Sequence, residues 1–89
     1  MTKQKLNSTG SLSRMAVPGG YVYYSYQTPI AFNINFEIRC RVNDWGNATA
    51  KHMFKLANEY GLAACALRFK AERLPAAEFM AALNAAAMV

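Results

Sequence analysis

These 89 residues carry ten Lys and Arg, five Asp and Glu, one His and two Cys, for a formal net charge of +5. That length allows one small domain and excludes a multidomain enzyme; sixteen of the positions are alanine, so the core is thin and burial against a partner is favoured. The basic balance argues against DNA mimicry and favours an acidic partner, without choosing between protein and nucleic acid.

Residues 1–15 are rich in Ser, Thr, Asn and Lys, hold no acid and show no apolar period, which predicts a flexible basic arm ahead of a single α+β domain at 16–89. No apolar signal segment or membrane span is read there or elsewhere, and two cysteines without CxxC spacing fit a reducing compartment, so the expected location is cytoplasmic. After the Pro18-Gly19-Gly20 breaker, Tyr21-Val22-Tyr23-Tyr24-Ser25-Tyr26 has the aromatic and β-branched content of a strand. Pro29 interrupts it, and Ile30-Ala31-Phe32 reads as a second, short strand. Phe36, Ile38, Cys40 and Val42 then alternate with Glu37, Arg39, Arg41 and Asn43, a third strand with one apolar face.

Residues 43–47 end the sheet, with Asn47 or Thr49 available to cap a helix whose Ala50, Met53, Leu56, Ala57 and Tyr60 share one stripe, until Gly61 stops it. Residues 62–73 suit helix or strand, with helix preferred. Pro75 opens a last helix with a stripe of Ala76, Phe79, Met80, Leu83 and Ala87. The resulting fold class is α+β, a small antiparallel three-stranded sheet covered on one face by two or three helices.

Catalytic and metal signals are weak. His52 is the single histidine, at the edge of a helix stripe where a bond to a backbone carbonyl or solvent is ordinary, and no partners stand at ligand spacing. Cys40 falls on the apolar side of its strand, no two acids form a pair on one element, and the glycines make no phosphate loop. The chain therefore reads as a non-enzyme without cofactor or metal. Trp45, alone in the turn before the helix, reads as a lid on the core whose indole N–H reaches a backbone oxygen.

The surface residues are more informative. Tyr21 and Tyr23 are expected on the solvent face of the sheet beside Arg39 and Arg41, with Lys51 and Lys55 on the polar side of the first helix. Stacking rings beside cations can hold single-stranded nucleic acid, can dock a protein, or can simply solubilise a sheet face, and composition leaves all three open. The Ala-rich C-terminal helix has only Glu78 ionised, so a homodimer through its second side is a further expectation.

Tyr24-Ser25-Tyr26-Gln27-Thr28-Pro29-Ile30-Ala31, followed by Trp45 and by Thr49-Ala50-Lys51-His52, resembles a pattern in a family of small bacteriophage-encoded proteins. The resemblance covers residues 22–53 and brings no catalytic residues. It implies an accessory protein that binds and inhibits a host protein or ribonucleoprotein complex, such as a CRISPR or other defence effector, an implication by analogy. The alternative is a small basic nucleic-acid-binding protein that uses the aromatic and arginine sheet face.

Overall fold

In the computed structural model, which describes residues 3–87, the aromatic run becomes the central strand of a five-stranded antiparallel sheet. Strands β1 (Gln4–Lys5), β2 (Leu12–Val17), β3 (Gly20–Ser25), β4 (Thr28–Ile34) and β5 (Glu37–Cys40) lie side by side in chain order. Short turns fix this meander. Pro18 and Gly19 connect β2 to β3, with Gly19 at φ +89° where a side chain on an L-residue is strained. Asn35 and Phe36, at φ +50° and +70°, make the β4–β5 turn with the mirror-image geometry that matches strand twist.

The chain then forms helix α1 (Asn47–Glu59), two short 3-10 turns at Ala63–Cys65 and Leu67–Glu72, and helix α2 (Ala76–Ala87). The fold class is α+β as expected, with five strands rather than three. The two added strands come from residues 4–17, all but the last two of which lie in the segment 1–15 expected as a flexible arm. Leu6 and Leu12 are buried in the core, and the Leu6 N–H donates to the Leu12 carbonyl at 2.8 Å, so two apolar side chains anchor an otherwise polar segment.

The helices do not share one face. Tyr23, Ala31 and Cys40 are cross-strand neighbours, and their side of the sheet packs on Met53 and Leu56 of α1 with Leu62 and Cys65 behind them. Val22 and Phe32 point the other way and pack with Ile34 on Phe79, Leu83 and Ala86 of α2. The route between faces is explicit. Leu74 bonds to the open edge of β5, donating to the Cys40 carbonyl and accepting from Val42 N–H, both at 2.9 Å, which covers that edge and carries the chain around it. Pro75 then starts α2, its carbonyl accepting from Phe79 N–H at 2.8 Å.

Local expectations fare unevenly. The stripe Met53, Leu56, Ala57 and Tyr60 faces the sheet, whereas Ala50 is exposed and Thr49 and His52 are buried in its place. Neither Asn47 nor Thr49 caps α1: Gly46 stands at the cap, and Asn43 organises the turn by accepting from Trp45 N–H and Gly46 N–H. Residues 62–73 are neither α-helix nor strand but 3-10 turns with an extended break at Ala66. No helix among the described residues is long and apolar enough to cross a membrane.

Candidate functional site

The six residues expected to form one contact surface are dispersed. Tyr23 is 3% exposed and packs against Tyr60, so it is core and unavailable to a partner. Tyr21 is half-buried beneath Arg14, whose guanidinium sits 4.0 Å above the ring. Arg39 lies on the opposite face of the sheet, bonded to Glu37 at 3.1 Å, because it is the cross-strand partner of Phe32. Arg41 covers the ring of Trp45 at 4.5 Å and reaches Asp44 at 3.3 Å. Trp45 is half-exposed, a stacking platform for Arg41 and not a lid on the core. A shared aromatic and arginine sheet face is therefore corrected: both faces carry a helix. Lys51 and Lys55 do lie on the outward side of α1, Lys55 within 3.9 Å of Glu59.

Lys51 borders something that sequence spacing did not reveal. Between the outer side of α1 and the 3-10 turns runs a groove of about 510 Å³. Ala50, Phe54, Cys65, Ala66 and Leu67 give it apolar walls, with Asn47 and Asn58 at the margins and Lys51 and Arg73 as its charged residues. None of the lining residues is acidic. Phe54 is 66% exposed and Leu67 74%, large apolar side chains left in water beside a concave surface.

Local sequence explains why they stand there. Phe54 falls between Lys51 and Lys55 on the polar side of α1, opposite the Met53 and Leu56 stripe, so the helix cannot bury it in its own core. The extended backbone at Ala66 turns Cys65 inward and leaves Leu67 outside. Arg73 is held from above: its guanidinium donates to the Cys65 carbonyl at 2.9 Å, while its Nε is buried with no hydrogen-bond partner among the described residues. An aromatic on the wrong side of an amphipathic helix was the one available sequence signal for this groove.

A second polar cluster holds the sheet to α1. The Ser25 hydroxyl lies 2.7 Å from His52 Nδ1 and 3.2 Å from the Thr49 hydroxyl, and the Ser11 hydroxyl lies 3.2 Å from His52 Nε2. The Tyr26 ring packs 5.8 Å from the imidazole, and burial holds the histidine below its ordinary pKa. His52 is thus bonded to two serines rather than to a carbonyl or solvent. Ser25, Thr49 and His52 are buried, and the ring's two recorded hydrogen-bond partners are serines, so the cluster joins β3, α1 and the turn before β2 as a structural clamp. Among the described residues no three acids, histidines or cysteines converge as metal ligands.

Residues 1–71 match a family of unknown function, DUF8033. The chain belongs to that family. The matched residues include all five strands, α1 and most of the groove, leaving α2 outside. No curated protein and no solved structure matches the chain.

Proposed function

We propose that this DUF8033 protein is a non-enzymatic binding protein that docks a partner protein in the groove between α1 and the 3-10 turns. The observation that supports it is the pairing of exposed Phe54 and Leu67 with the cations Lys51 and Arg73 around one concavity. Such a site suits an apolar side chain flanked by a carboxylate: the apolar part covers Phe54 and Leu67, and the acid meets the cations Lys51 and Arg73 at the lining. In the accessory role suggested by the resemblance to phage-encoded proteins, the partner is a host complex, such as a defence effector, that the docked protein blocks.

The test is affinity capture from nuclease-treated bacterial lysate with wild type and with Phe54→Ala and Arg73→Gln variants. The reading expects a nuclease-resistant, stoichiometric protein recovered by wild type and lost by the variants. Capture that depends on nucleic acid, present in untreated lysate and lost on nuclease treatment, with the salt dependence of phosphate contacts, supports the alternative of a basic nucleic-acid binder instead. Self-association through α2 is a separate proposal, supported by Ala77, Ala81 and Ala85 on the outward side of that helix, and light scattering at high micromolar concentration decides it.

A further inference from the structure

Among the described residues, two exposed large apolar side chains have an acidic neighbour in the chain. Trp45 follows Asp44, but Arg41 stacks on that ring and bonds that carboxylate, so the pair is already engaged within its own turn. Phe36 precedes Glu37 and is 99% exposed, at the tip of the β4–β5 turn. The domain therefore displays on its own surface an apolar side chain flanked by a carboxylate, the chemistry that suits the groove between α1 and the 3-10 turns.

The turn holds that ring outward. Asn35 and Phe36 stand at φ +50° and +70°, where a two-residue hairpin turn favours Asn followed by Gly, so a phenylalanine in the second position is strained and gains no packing inside the domain. The Asn35 N–H donates to the Gly19 carbonyl at 3.0 Å, which braces the tip against the β2–β3 turn, and a side chain at Gly19 would strike the Asn35 amide. A braced tip loses little conformational freedom on docking. Glu37 is bonded to Arg39 at 3.1 Å with both side chains about half exposed, a pair of small net worth that the carboxylate exchanges readily for other cations.

We propose that the groove receives Phe36 and Glu37 of a second copy of the chain, an inference that rests on the docking role of the groove and adds an occupant from the protein itself. The phenyl ring lies against Phe54 and Leu67, and the Glu37 carboxylate meets Lys51 and Arg73. No acid lines the groove, so nothing there repels Glu37. Burying an aromatic side chain removes roughly 150–250 Å² from water, and the same contact covers the two large apolar side chains that the groove leaves exposed. Phe36 lies in water in the single chain, so the contact forms between copies. Each copy offers one turn and one groove, which makes the contact one of unlike surfaces that repeats from copy to copy in a closed ring or an open row. A foreign protein seated in the groove excludes the second copy, so self-docking regulates access to the groove.

Sedimentation equilibrium on the full chain from roughly 10 μM to 1 mM spans the affinity of a single anchor contact. Self-docking predicts an average mass that rises with concentration in wild type and stays at one chain for Phe36→Gly and for Phe54→Ala. Both replace exposed side chains, and an unchanged circular dichroism spectrum verifies the fold of each. An equimolar mixture of the two variants should regain association and stop at two chains, because Phe54→Ala still supplies the turn and Phe36→Gly still supplies the groove. Glu37→Lys should weaken the association about tenfold or more, whereas Ala85→Lys, on the outward side of α2, should leave it unchanged. A wild type at the mass of one chain throughout, association that survives Phe36→Gly or is lost in Ala85→Lys, or a mixture no heavier than its components overturns the proposal. Monomeric wild type with Phe54-dependent capture of a foreign protein removes self-docking alone, and self-association without such capture removes the foreign partner alone.

Discussion

Ser25 on β3 and His52 on α1 meet at 2.7 Å, hydroxyl to Nδ1, and this contact joins the sheet to the first helix. Both groups are removed from water, so deleting one strands the other. Ser25→Ala should cost about 1–3 kcal/mol, the penalty of a buried unsatisfied polar group, measured as a shift in urea midpoint at unchanged slope.

The same histidine gives the fold a pH dependence. Because burial holds its folded pKa below the unfolded value of 6.5, the unfolded chain binds the proton more readily. Its contribution is complete above about pH 6.5 and is lost as the pH falls through that value towards the lower folded pKa. Urea titrations between roughly pH 7.5 and 5 should show falling stability, and His52→Gln should flatten that slope.

Phe36 occupies a turn position at φ +70° and is 99% exposed, so its side chain repays none of the backbone strain within the domain. Phe36→Gly should raise stability by about 1 kcal/mol, which for a domain of this size moves the thermal midpoint by roughly 4–8 °C. An unchanged or lower midpoint would mean that the phenylalanine stabilises the turn in some other way.

Leu12→Ala tests whether the amino-terminal hairpin belongs to the fold. Its side chain is fully buried beside Leu6, so the expected cost is about 2–5 kcal/mol, enough to unfold much of so small a domain. A cost within about 0.5 kcal/mol would restore the mobile arm.

These points show where sequence reading succeeds and stops. Alternation over residues 36–42 located β5, although the strand is only Glu37–Cys40, with Phe36 exposed in the turn before it and Cys40 its one buried side chain. Spacing of three and four located α1 and α2, because each buries one periodic face. The amino-terminal strands were hidden because two leucines among Ser, Thr and Asn give no period, yet two buried leucines and backbone pairing suffice to hold an edge. The unbroken Tyr21-Val22-Tyr23-Tyr24 run was the sign of a strand covered on both sides, which a half-buried reading misses. Sheet-face parity separated Tyr21 and Tyr23 from Arg39, and only Lys51 of the six expected contact residues lines the groove. The groove depends on where residues 62–73 return across α1, and no local spacing encodes that return.

The side of α2 is decided by one substitution pair. Ala86 is buried against the sheet and Ala85 is exposed, so Ala86→Lys should lower the thermal midpoint sharply while Ala85→Lys leaves it within experimental error. Any effect of Ala85→Lys on the solution mass then reports self-association without loss of fold.

Hydrogen exchange on the protein with its captured partner bound is the most direct measurement of groove docking. The account predicts slowed exchange across residues 47–58 of α1 and residues 65–73, abolished in the Phe54→Ala mixture, with the amides of α2 unchanged. Protection confined to the β4–β5 turn around Phe36 or to α2, with the groove amides exchanging as in the free protein, would contradict it.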